Sequence, residues 1–125
     1  MTALCILSAG KALTVAATAF TLSWTHSVQK TEWQESWWVT PAGLQIVEAR
    51  IKGSGAGMEP PADAVLKDGW WVYAPKVKPV RELALAASGA TVSAWTLCAA
   101  GECREIGSDG GEPVVLKACS GRSQP

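Results

Sequence analysis

The sequence predicts an all-β fold, an antiparallel β-sandwich or small β-barrel built from short strands and hairpins, on three observations. Large apolar and small polar residues alternate through Phe20-Thr21-Leu22-Ser23-Trp24-Thr25-His26-Ser27, the two-residue period of a strand with one buried face. Turn signals rich in Gly and Pro then recur at short intervals, dividing the chain into runs of strand length. Finally, no segment carries a convincing amphipathic helix, and only Val80 to Ala87 competes as a helical turn.

The elements follow in order. Residues 3–20 read as two short buried strands around a turn at Ala9-Gly10-Lys11. Lys11 and several Thr interrupt the apolar run before it reaches the roughly 18–20 residues of a membrane span. Met1 to Ile6 carries no Lys or Arg, so no signal peptide is expected either. The alternating strand at 20–27 is followed by Glu32 to Val39, its antiparallel neighbour, with Trp33, Trp37 and Val39 on one face and Glu32, Gln34, Ser36 and Trp38 on the other. After Pro41-Ala42-Gly43, residues 44–51 form a third strand and complete a meander. The stretch Gly53 to Pro61 is a loop, because repeated Gly and a double Pro suit neither helix nor ladder. Asp68-Gly69 marks a tight hairpin within 64–73. Short strands follow at 83–87, 91–97, 104–106 and 113–118.

At 125 residues and 48% hydrophobic, the chain holds one domain with a core over about 3–119, leaving 120–125 as an unstructured tail. Eleven basic and eleven acidic side chains cancel, and no like-charged block occurs, which argues against a nucleic-acid partner. Seven Trp against one Phe and one Tyr is the oddest number. The adjacent pairs Trp37-Trp38 and Trp70-Trp71 must each split across the two faces of a sheet; burial of both members under a second layer is the default, and where the outer face is uncovered Trp38 and one of Trp70 and Trp71 form an exposed aromatic surface.

Four Cys allow three disulfide connectivities. Cys98 and Cys103 flank a four-residue loop and suit a bridge that pinches a hairpin, while Cys5 and Cys119 lie near ends that a sandwich can bring together. A four-Cys zinc site is disfavoured because only one closely spaced pair exists, and four buried thiols are the competing reading. No metal and no cofactor is expected. His26, the one imidazole, stands beside Ser27, but strand neighbours point to opposite faces and do not form a nucleophile–base pair. The Gly53 to Gly57 loop lacks the Gly-Lys-Ser/Thr ending of a phosphate cradle, although its amides suit an anion-binding nest to which Ser54 and Glu59 add polar contacts.

Taken together, the Phe20 to Trp33 segment with its Thr-His-Ser, the Gly-Ser-Gly-Ala-Gly-Met-Glu run at 53–59, Asp68-Gly69-Trp70-Trp71 and Trp95-Thr96-Leu97-Cys98 resemble the domain-of-unknown-function family number eighteen-fifty. The resemblance extends from about Cys5 to Cys119. It implies a small bacterial protein encoded beside solute transporters of the tripartite ATP-independent periplasmic (TRAP) type with TAXI-class receptors, and it supplies no catalytic residues. Periplasmic association is implied by that resemblance alone. The leading expectation is a non-enzymatic accessory domain binding a TRAP permease, a solute receptor or a small anionic ligand. Its surface joins His26, Ser27, Lys30 and Glu32 to Ser54, Gly55 and Glu59 and to Trp38. The alternatives are a small hydrolase pairing His26 with Glu32, Glu35 or Glu59, and a sugar-binding module with a Trp platform.

Overall fold

The computed structural model describes residues 2–8, 10–25, 32–52, 63–85, 95–107 and 112–120, and every described regular element is a strand. Hairpin β1 (Thr2–Ser8) and β2 (Lys11–Val15) turns at Gly10. Next comes the meander β3 (Ala19–Thr25), β4 (Glu32–Thr40) and β5 (Gly43–Lys52). Hairpin β6 (Val65–Lys67) and β7 (Trp70–Tyr73) turns on Asp68 and Gly69, both at positive φ, the geometry that the Asp-Gly pair predicts. Then follow β8 (Glu82–Leu85), hairpin β9 (Trp95–Ala99) and β10 (Glu102–Ile106), and β11 (Val114–Ser120). The segment that competed as a helical turn is therefore extended at β8. Ser120, expected in the tail, pairs with Thr2, and residues 121–125 lie outside the described residues.

The strands form two antiparallel sheets, one ordered β2-β1-β11-β8 and the other β10-β9-β3-β4-β5-β7-β6. Alternation sends Phe20, Leu22, Trp37, Val39, Leu44 and Leu97 from the large sheet into one core with Leu4, Ile6, Val15, Leu85, Val114 and Leu116 from the small one. Phe20 stacks on Trp37, with ring centroids 6.0 Å apart. In β5 the register against β4 shifts between Ser36 and Trp37: Ser36 lies opposite Glu48, Trp37 opposite Ile46, and Val47 is the extra residue of a bulge. That one residue is why Leu44 and Ile46, then Ala49 and Ile51, all line up with core-facing residues of β4.

The chain passes from one sheet to the other at Val80. Its N–H donates to the Leu44 carbonyl (2.9 Å) and its carbonyl accepts from the Leu44 N–H (2.7 Å), an isolated antiparallel bridge between β5 and the segment entering β8. Gly43 makes this approach possible. Its φ is +128°, and a Cβ there would collide with the Val80 carbonyl oxygen. Both disulfides stand on the outward sides of their sheets. Cys5 and Cys119 are diagonal neighbours on β1 and β11, with Cα atoms 6.0 Å apart. Cys98 and Cys103 face each other directly across β9 and β10 at 4.0 Å. These two do not flank a four-residue loop as expected; the turn is only Ala100-Gly101, both at positive φ, and the cysteines sit one pair inside the ladder.

Three substitutions test this arrangement. Replacing Cys5 and Cys119 by Ala opens a link across 114 residues and should cost about 4–5 kcal/mol in denaturant unfolding. Replacing Cys98 and Cys103, which span only five, should cost about 2 kcal/mol. Gly43→Ala should destabilise by roughly 2–4 kcal/mol, because both its dihedral and the Val80 carbonyl oppose a side chain.

Candidate functional site

The outer face of the large sheet is built from the residues that alternation leaves out of the core. On β3 these are Ala19, Thr21, Ser23 and Thr25, and on β4 Glu32, Gln34, Ser36 and Trp38. Small side chains on β3 leave Trp38 standing above the sheet, 56% exposed, where it is the largest exposed apolar side chain among the described residues. Beside it lies an open depression of about 530 Å³ lined by Thr21, Ser36, Trp38, Val47 and the Cys98–Cys103 hairpin. The mixture of hydroxyls, an indole and a disulfide on a rigid ladder suits contact with a partner surface.

Of the residues expected to share one surface, Glu32 and Trp38 are described, and they lie on the same face. They stand six positions apart along the strand, about 20 Å, too far for one small ligand to touch both. His26, Ser27, Lys30, Ser54, Gly55 and Glu59 lie outside the described residues. The tryptophan pairs split across the sheet as alternation requires. Trp37 is buried while Trp38 is exposed, and Trp71 shares the core-side row of Ile51 while Trp70 shares the outer row of Lys52. Trp70 is only partly exposed and carries the Lys52 ammonium 5.5 Å from its ring centroid. Since Trp70 pairs with Lys52 at the far end of β5, it forms no coplanar platform with Trp38.

The inner face holds the residues of opposite parity. Trp24 stacks on Trp33 (5.8 Å between centroids) and meets Trp95 at 4.6 Å, an aromatic row at one end of the core. In the next row Glu35 projects from between Leu22 of β3 and Ala49 of β5. The Trp37 indole N–H donates to its Oε1 at 3.0 Å. Burial pushes the Glu35 carboxyl above its ordinary value, an effect the Trp37 bond partly offsets. Burial likewise raises the Tyr73 phenol, with further contributions from the negative charges of Glu35 and Asp63. Trp33 Nε1 is buried without a hydrogen-bond partner. Parity alone identifies Glu35, since it stands two residues from both Trp33 and Trp37.

The four sulfurs are taken up in the two disulfides, and no group of three metal-ligating side chains converges among the described residues. Nor do the described residues include a helix long and apolar enough to cross a membrane. A family model described as "Domain of unknown function (DUF1850)" matches residues 20–106, a shorter span than the Cys5 to Cys119 resemblance, running from β3 to β10. No curated protein and no solved structure matches the chain.

Glu35 gives this region a measurable signature. A carboxyl whose pKa is higher in the folded state favours folding below its unfolded value, near 4.5, and progressively loses that contribution as pH rises through its folded value. Glu35→Gln keeps an acceptor for Trp37 and removes the charge. It should therefore raise the melting temperature at pH 7, with the gain shrinking as the pH falls through the raised folded value toward 4.5 and vanishing below it; thermal melts of both proteins between pH 4 and 8 measure it.

Proposed function

The chain belongs to this family, and on that premise we propose that it is a non-enzymatic accessory domain of a TRAP-type solute transport system. In this reading it engages the permease or the solute receptor through the outer face of its large sheet. The observation that carries the proposal is Trp38, held exposed on a β-ladder above the depression beside the Cys98–Cys103 hairpin. A rigid indole of this kind contributes large contact area at low entropic cost, and such residues dominate binding energy at interfaces. Two disulfides support a workplace in an oxidising compartment, in keeping with a periplasmic partner.

Affinity purification of the tagged protein from native membranes, with and without transported solute, should retain the cognate permease or receptor. Trp38→Ala should leave the melting temperature close to that of the parent and weaken retention by about 2 kcal/mol, roughly thirtyfold in Kd. Equal retention by parent and variant would remove Trp38 from the interface, and failure to retain either component in both conditions would refute the association.

A further inference from the structure

One lateral edge of the sandwich carries a second site, independent of the Trp38 surface. Among the described residues the small sheet ends there in β2 and the large sheet in β10, with no further strand beside either. Between these edges lies a cleft of about 450 Å³, lined by Ile6, Ser8, Lys11, Leu13, Arg104 and Ile106, with Ala12 completing the wall. Its surface is largely apolar. Ile6 belongs to the buried core and Ile106 packs against that core, whereas Leu13 is 43% exposed. The cleft's two charged lining groups are both cations, Lys11 at the start of β2 and Arg104 in β10.

We propose that this cleft binds an aliphatic carboxylate, its chain between Ile6, Leu13 and Ile106 and its head group held by Arg104 and Lys11. Two cations beside an apolar slot match an anionic head on an apolar tail, and the volume is that of a small-ligand pocket rather than a trough for a whole strand. Arg104 now contacts Glu102, Nη2 to Oε1 at 3.3 Å, with the Glu102 side chain 76% exposed. Such an exposed pair contributes little, so a carboxylate offering a two-pronged contact to the guanidinium displaces Glu102 at small cost. Among the described residues Lys11 forms no ion pair, and it shows the same sign of charge to the cleft from the opposite sheet.

Titrating the full chain with decanoate below its micelle concentration, followed by backbone amide NMR, tests the site. Saturable shifts should centre on Lys11–Leu13 and Arg104–Ile106. Arg104→Gln should weaken binding about tenfold and Lys11→Gln severalfold, while Glu102→Gln, by freeing Arg104, should tighten it. The amide spectrum of each variant reports its folding, and Lys11→Gln and Glu102→Gln, both at exposed positions, keep the test decisive if Arg104→Gln does not fold. Decanol binding as well as decanoate, shifts centred on Trp38, unchanged affinity in the folded charge variants, or no saturable binding would each overturn the proposal. So would an acidic apolar peptide that occupies the cleft where decanoate does not.

Discussion

Pairing of β1 with β11 is the contact on which the rest of the molecule depends. The large sheet turns a largely apolar face inward, and Leu22, Leu44 and Leu97 on it reach full burial only when a second sheet covers them. The centre of that cover is the pair formed by the two ends of the chain, from Thr2 opposite Ser120 to Leu7 opposite Val115. Bringing such distant segments together carries a loop-closure cost that local hairpins avoid, and the burial of Leu4, Ile6, Val114 and Leu116 must offset it. The Cys5–Cys119 bridge acts on the same term by keeping the ends close in the unfolded chain. The family match from 20 to 106 contains nearly all of the large sheet but only β8 of the small one. Most of the cover, therefore, comes from outside the matched span.

With the core closed, the two faces of the large sheet acquire different chemistry. Inward, bulky aromatic rings fill the row at one end, and the carboxyl of Glu35 is held among them with an indole as its hydrogen-bond partner. Outward, hydroxyl-bearing residues of β3 and β4 leave a single indole proud of the surface. The abundance of Trp thus serves two ends. Trp24, Trp33, Trp37 and Trp95 supply volume in a domain whose core has few other large side chains, while Trp38 supplies contact area.

Strand existence and hairpins were legible because they are local. Alternation in Phe20 to Thr25 and the Asp68-Gly69 turn need no information beyond a few residues. The order of strands was not legible, since β1 beside β11 and β3 beside β9 depend on contacts far apart in the chain. The disulfide partners were inferred correctly from proximity of the ends and of the hairpin arms, yet the Ala100-Gly101 turn came out tighter than its neighbours suggest, because Ala100 accepts a left-handed conformation. At the site, the outward side of Trp38 was legible from its adjacency to Trp37, but its exposure was not, because a covering layer was the default expectation and only the sheet order shows that face uncovered at Trp38. Glu35 entered the sequence reading only as a possible partner of His26, although the same parity rule places it on the core side with Trp33 and Trp37. The edge cleft was invisible for a different reason: Lys11 and Arg104 are brought together only by the stacking of two sheets.

The bulge at Val47 behaves as a frameshift in the reading of β5. Upstream of it the even-numbered residues Leu44 and Ile46 are in phase with the core side, and downstream the odd-numbered Ala49 and Ile51 are. A strand read in one phase throughout would turn either the first or the second half inside out, placing Glu48 and Arg50 where Ala49 and Ile51 now lie. The amino-acid pattern and the backbone irregularity are consequently a matched set. Inserting or deleting one residue between 46 and 48 changes the phase of one half of the sheet relative to the other, whereas substitutions that leave the count unchanged preserve both.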